Sequence, residues 1–116
     1  AQRLMRRLCT HCAQPWQPTP SDLRAAGLGL DRTGRFMKAI GCPHCRGTGY
    51  KGRRAIAEIL VMDDTLRDLI VSRQSLTQIK AHARAAGTRL LRESAIACVL
   101  AGETTLEELN RVTLAE

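Results

Sequence analysis

Four of the five cysteines in this 116-residue chain come as two hooks, Cys9-Thr10-His11-Cys12 and Cys42-Pro43-His44-Cys45. A C-x-x-C turn points two sulfurs inward, so each hook can supply two adjacent corners of a tetrahedron. The stretch from Ala13 to Gly41 is long enough to bring the second hook back to the first. Zn²⁺ takes such a set, with sulfurs about 2.3 Å from the metal. The second hook runs on as Arg46-Gly47-Thr48-Gly49, and glycine there permits positive φ and lets backbone N–H groups approach a thiolate. The pattern predicts a closed metal site with Cys9, Cys12, Cys42 and Cys45 as ligands and Zn²⁺ as a structural ion. Rubredoxin-type iron uses the same four sulfurs, so ligand type leaves zinc and iron open, with zinc preferred. A redox role for either hook would need a βαβ context, and neither has one. Four cysteines complete the tetrahedron, so His11 and His44 are read as knuckle surface. Cys98 lies among Ala95, Ile96, Val99 and Leu100 and is read as a core residue without chemistry.

A metal with four thiolates has no open position for a water molecule. The sequence has no G-x-x-x-x-G-K-[ST] phosphate cradle, no G-x-S-x-G and no H-E-x-x-H. No catalytic and no nucleotide-binding residue is therefore assigned, and this chain by itself is expected not to be an enzyme.

The elements that must position the hooks are short. Arg3 to Leu8 places apolar residues at 4, 5 and 8, the spacing of one helical face, which predicts a helix running into Cys9. Prolines 15, 18 and 20 keep the chain extended around Trp16. Thr19-Pro20-Ser21-Asp22 reads as a helix start with a capping box and Pro at the first helical position, the helix stopping at Gly27 or Gly29. Arg35 to Ile40 and Arg53 to Val61 read as strands on either side of the second hook, predicted to form a ribbon clasped by the metal. Four helices are predicted after that, capped by Asp63 or Asp64, by Ser75 with Gln78, before the apolar run Leu90 to Ala101, and by Thr105. Their short loops imply a compact cluster. The expected fold is α+β and mostly α: a small Cys₄ zinc module with a short antiparallel β-ribbon over 1–61, then a subdomain of four short helices over 62–116. A module of that size with few large apolar side chains depends on its metal, so metal loss is expected to unfold the first part and spare much of the second.

Charge is unevenly spread. Residues 1–54 hold eleven Lys/Arg against Asp22 and Asp31, and residues 55–116 hold seven against nine acids. Such a basic module suits nucleic acid, an anionic surface or an acidic protein face. Trp16, Phe36 and Tyr50 are the only aromatics, too few for base stacking along a single strand. No run of eighteen apolar residues and no signal-peptide pattern is present, and free-thiol hooks suit a reducing compartment, so the expected location is cytoplasmic. The chain opens mid-pattern without an initiator Met, which suggests a piece of something longer.

Three stretches together resemble a known family. Ala1 to Leu8 leading into Cys9 and Cys12, Gly41-Cys42-Pro43 with Cys45 and Thr48-Gly49-Tyr50-Lys51-Gly52-Arg53, and Gly102-Glu103-Thr104-Thr105-Leu106-Glu107-Glu108-Leu109 are similar to the C-terminal region of type II secretion and type IV pilus assembly ATPases, the general secretion pathway protein E family. Glu58-Ile59-Leu60 and Asp63 to Ile70 are similar to its exit strand and next helix. The resemblance implies a hexameric P-loop ATPase that powers pseudopilin or pilin assembly, peripheral to the cytoplasmic face of the inner membrane through partners. It implies that ATP and Mg²⁺ bind only in a core absent from this chain, and that Cys9, Cys12, Cys42 and Cys45 are the family's zinc ligands. Implied partners are neighbouring subunits and inner-membrane platform or recruiting proteins, reached through the basic cluster Arg46, Lys51, Arg53 and Arg54. Ala55, Ala57 and Ser94-Ala95 depart from the family's usual residues. Two other readings stand beside it: a stand-alone zinc ribbon that binds nucleic acid, and an Hsp40-like zinc domain, whose repeat the second hook matches but the first does not.

Overall fold

In the computed structural model, which describes residues 1–30 and 33–113, two strands flanking the hooks make the longest-range pairing. Strand β1 spans Gln2–Leu8 and runs into Cys9, and β4 spans Tyr50–Ala57 and leaves the second hook. They pair antiparallel, with Gln2 opposite Ala57 and Met5 opposite Arg54. Two short strands, β2 (Gln14–Pro15) and β3 (Met37–Lys38), form a second antiparallel pair. The ribbon at the hooks is therefore β1 with β4, not the two strands on either side of the second hook.

The helix expected over Arg3 to Leu8 is a strand. Met5 and Leu8 are buried three positions apart, which imitates a helical face, while Leu4 is exposed. The ladder register shifts between Arg6 and Leu8, where Leu8 comes opposite Tyr50 and the facing strand holds one residue more. Apolar residues at 4, 5 and 8 do not alternate, so β1 lacks the two-residue period that would betray a strand. Pairing partners some fifty residues away decide the conformation, and these lie outside any local window. The outer edge of β1 is closed too: Arg6 N–H donates to Glu108 Oε2 at 2.6 Å, Leu8 N–H donates to the Glu103 carbonyl at 2.9 Å, and Thr104 Oγ1 donates to the Arg6 carbonyl at 2.8 Å. Covering an edge in this way removes a site for unwanted strand addition.

The helices follow their caps. Helix α1 (Pro20–Ala25) has Thr19 as N-cap in a capping box with Asp22, and Gly27 continues at φ +75°. Helix α2 (Asp64–Val71) is capped by Asp63, whose carboxylate accepts from Leu66 N–H at 2.6 Å. Helix α3 (Leu76–Ala85) has Ser75 and Gln78 as its capping box. Helix α4 (Leu91–Leu100) is followed by Gly102 at φ +77°, and α5 (Leu106–Val112) is capped by Thr105. Helix α2 packs with α3, while α4 packs with α5 and against β4, and α5 against β1. One cluster of buried side chains joins the ribbon to three of the helices, with Met5 and Ile56 from the ribbon, Leu23 from α1, Phe36, Val99 from α4 and Leu109 from α5, while α2 and α3 lie outside it. Cys98 lies in the same cluster, as its apolar neighbours implied. Asp31, one of the two acids of the basic half, lies outside the described residues.

Candidate metal centre

The two hooks meet. Cys9 reaches the site at the end of β1, and Cys42 to Cys45 form a single turn of 3-10 helix over Pro43–Cys45, with Pro43 fixing its first residue. Arg46 leaves that turn in the left-handed region at φ +57° and Gly47 follows at +79°, which swings the chain back toward the sulfurs. Two glycines are required by contact as well as by conformation. A Cβ on Gly41 would stand 2.7 Å from the Gly47 carbonyl oxygen, and one on Gly49 would stand 2.5 Å from the Ala39 Cβ.

The sulfurs of Cys9, Cys12, Cys42 and Cys45 all lie within 4.8 Å of one another. The Cys9–Cys42, Cys12–Cys45 and Cys42–Cys45 separations are 3.7, 3.9 and 3.8 Å. A tetrahedron with metal–sulfur bonds of about 2.3 Å has an edge of about 3.8 Å, so the donor set fits a tetrahedral ion of zinc's size. Disulfide-bonded sulfurs would stand at about 2.05 Å, and these cysteines are free. Among the described residues this is the one cluster of metal-ligand type.

Backbone amides point at the thiolates. Gly41 N–H donates to Cys12 Sγ at 3.4 Å, Cys42 N–H to Cys45 Sγ at 3.2 Å, and Gly49 N–H to Cys45 Sγ at 3.1 Å. For Cys45, burial pushes the thiol up, but the Cys42 and Gly49 amides and the neighbouring sulfurs outweigh it and hold it at about 6. For Cys12, the Gly41 amide draws the thiol down, and burial with the sulfurs of Cys42, Cys45 and Cys9 outweighs that and pushes it up to about 11. Four thiolates this close repel one another, so holding all four ionised calls for a cation among them.

His11 and His44, one from each knuckle, stack face to face with ring centroids 3.8 Å apart and 15° between planes. They are exposed, and they fasten one hook to the other from outside the sulfur set. Of the basic cluster, Arg46, Lys51 and Arg53 are exposed, while Arg54 pairs with Glu103 across the molecule.

Sequence reasoning missed a second group that the fold brings to the hooks. Arg6 lies over the Tyr50 ring with its guanidinium carbon 4.2 Å from the centroid, and the Tyr50 hydroxyl meets Thr105 Oγ1 at 2.8 Å. Glu108, fully buried, accepts from Arg6 Nη2 at 3.1 Å and from Arg111 Nε at 2.6 Å. Burial alone would push the Glu108 carboxyl up, but the Arg111 and Arg6 guanidiniums and the Arg6 amide outweigh it and hold it at about 2. The available signal was that Tyr50 and Thr105-Leu106-Glu107-Glu108 lie in two of the stretches carrying the family resemblance, far apart in sequence.

The profile of the family described as Type II/IV secretion system protein matches residues 1–111. The chain is 48% identical over 116 residues to a type IV pilus assembly ATPase PilB of Thermus thermophilus, an alignment covering 98% of this chain and 13% of that protein. It is 41% identical to the type II secretion system protein HxcR of Pseudomonas aeruginosa, covering 97% of this chain and 20% of the relative. It is 37% identical to a type II secretion system protein E from the same organism, covering 100% and 23%. The chain thus spans between about an eighth and a quarter of the length of these curated relatives. A family match over residues 1–111, with relatives 37–48% identical over nearly the whole chain, places this protein in the type II/IV secretion system protein family.

Proposed function

We propose that this chain is a zinc-stabilised C-terminal domain of a hexameric secretion or pilus assembly ATPase, in which it serves structure and contacts between subunits or with partners. The observation that carries the reading is the set of sulfur–sulfur separations near 3.8 Å in a member of a family whose relatives are named as such ATPases. Cys9, Cys12, Cys42 and Cys45 would hold the Zn²⁺. When bound, the ion closes the hooks and supplies folding free energy, with no position left for substrate. ATP and Mg²⁺ binding, and the work on pseudopilin or pilin subunits, would belong to another part of the polypeptide. That assembly would sit at the cytoplasmic face of the inner membrane through partner proteins. No helix among the described residues is long and apolar enough to cross a membrane.

The proposed boundary between 1–61 and 62–116 falls in the exposed coil 58–62. Helices α4 and α5 share their buried cluster with β1 and β4, so the two parts are proposed as one packed body with the metal at one end. Elemental analysis of the purified chain tests the metal reading: one zinc per chain is expected, and a chain without zinc, or with iron, refutes it. The partner reading has its own test in the parent ATPase. Arg53→Ala with Arg54→Ala should lower assembly or partner-stimulated ATP turnover, since desolvated charge contacts cost about 2–5 kcal/mol on truncation. Turnover and oligomerisation equal to wild type would make these arginines mere surface. Nucleic-acid binding is the second reading, favoured by the basic half, and it requires duplex affinity that falls steeply with salt.

A further inference from the structure

A closed ring of contacts joins the sulfur cluster to the start of α5. Gly49 is tied to both hooks, donating to Cys45 Sγ at 3.1 Å and accepting at its carbonyl from Cys9 N–H at 2.9 Å. It is closely packed as well, since a Cβ added to it would stand 2.5 Å from the Ala39 Cβ. The next residue is Tyr50, whose hydroxyl meets Thr105 Oγ1 at 2.8 Å. That same oxygen accepts from Glu108 N–H at 3.0 Å and so caps α5. A threonine hydroxyl has one proton and two lone pairs, so it can serve both partners at once. The ring closes through Arg6, whose amide and guanidinium hold the Glu108 carboxylate while the guanidinium lies over the Tyr50 ring.

We infer that Tyr50 is a positioning residue that couples metal occupancy of the cysteine cluster to the capped first turn of α5. A shift of the second hook moves the Gly49 amide and with it the Tyr50 ring, and the hydroxyl then leaves Thr105. The coupling is reciprocal: what docks α5 tightens Zn²⁺ binding by the same factor that Zn²⁺ tightens α5. Protein contacts on the exposed side of α5, where Glu107 and Arg111 lie, would thereby sense the state of the hooks. The inference rests on the reading that the four cysteines hold Zn²⁺.

The test uses the 116-residue chain, with hydrogen exchange followed by mass spectrometry with and without a chelator, and Zn²⁺ affinity by chelator competition. In the wild type, removing Zn²⁺ should raise exchange in 103–109 while α4 stays protected. Tyr50→Phe keeps the ring beneath Arg6 and removes only the hydroxyl. It should retain one zinc per chain, bind Zn²⁺ about three- to tenfold more weakly, as one lost hydrogen bond implies, and show α5 exchange that no longer depends on zinc. Thr105→Ser, which keeps the hydroxyl, should behave as wild type. An α5 that ignores zinc in the wild type, an α4 that loosens equally, or a Tyr50→Phe chain as zinc-responsive as wild type would each overturn the inference. The wild-type arm decides even if the variant fails to fold, since it needs no substitution. A chain that takes up no Zn²⁺ fails the metal reading instead.

Discussion

Replacing Glu108 by Gln should destabilise the protein by about 2–3 kcal/mol at neutral pH, and the deficit should fade as the solution is acidified. The carboxylate is fully buried and accepts from the Arg6 amide, the Arg6 guanidinium and the Arg111 guanidinium. Its carboxyl is held at about 2 against an ordinary 4.5. A shift of that size corresponds to about 3 kcal/mol, at 1.36 kcal/mol for each pH unit. The arginine side chains are 42% and 54% exposed, so water recovers part of their charge in the variant and the lower end of the range follows. Because the folded carboxyl is depressed, its contribution is complete above the unfolded value near 4.5 and is lost as pH falls from there through about 2. The assay is thermal or urea unfolding of the two proteins side by side, followed by circular dichroism from pH 7 to pH 2. Acid also strips thiolate-bound metal, but that loss is common to both proteins, so their difference isolates Glu108. For a chain of this length about 1 kcal/mol moves Tm by about 4 °C, so a gap of about 8–12 °C is expected at pH 7. A gap below about 2 °C at pH 7, or one that stays constant into acid, would show that the two arginines do not stabilise the buried charge.

The hooks themselves give two further expectations. Cys42→Ser and Cys45→Ser should each release the metal, read by elemental analysis, whereas Cys98→Ser should keep it, because Cys98 sits in the apolar cluster with α4. Gly49→Ala should abolish stoichiometric metal binding, since its Cβ would stand 2.5 Å from Ala39; Gly47→Ala meets no atom within 4 Å and should cost only about 1 kcal/mol for its positive φ. Equal metal retention by both glycine variants would remove the steric argument. In this chain, Arg53→Ala with Arg54→Ala should leave zinc content and fold intact: Arg53 is exposed, and the Arg54–Glu103 pair is half exposed and worth at most about 1 kcal/mol. Loss of the far-ultraviolet signal on that substitution would mean that the pair packs the fold.

What could be read from sequence was whatever is encoded locally. Thr19 with Asp22, and Ser75 with Gln78, are capping boxes whose two members sit three residues apart, and both cap the helices expected of them. The cysteine hooks are equally local, and their sulfurs meet. The ribbon was not local. Met5 needs Arg54 opposite it, and the spacing of Leu4, Met5 and Leu8 is that of a helical turn. The second strand of the ribbon was expected, yet its partner was misassigned, because two apolar runs on either side of a turn imply a hairpin more readily than a pairing across 50 residues. Glu108 was read as one acid in a helix start. Its burial between Arg6 and Arg111 depends on α5 lying along the outer edge of β1, which no spacing rule in the sequence reveals.

The two ends of the molecule are held by different forces. Around the hooks Leu8, Cys9 and Cys45 are buried, while Thr10, His11, Pro43, His44 and Arg46 are exposed, so little apolar area is available to hold the knuckles. A structural zinc contributes about 10–16 kcal/mol of apparent binding free energy, more than burial at this end can supply. The other end is held by side chains of the ribbon and of α4 and α5. Between them runs β4, in which Ile56 is buried while Ala55 and Ala57 on the other face are exposed. The chain leaves β4 as a coil that carries Ile59 and Val61, 72% and 74% exposed. The molecule is correspondingly elongated, with a radius of gyration of 16.7 Å against about 13 Å for a compact chain of this length. An ion at the hooks would thus fix an end that burial holds weakly, beside the exposed cations Lys51 and Arg53 of β4.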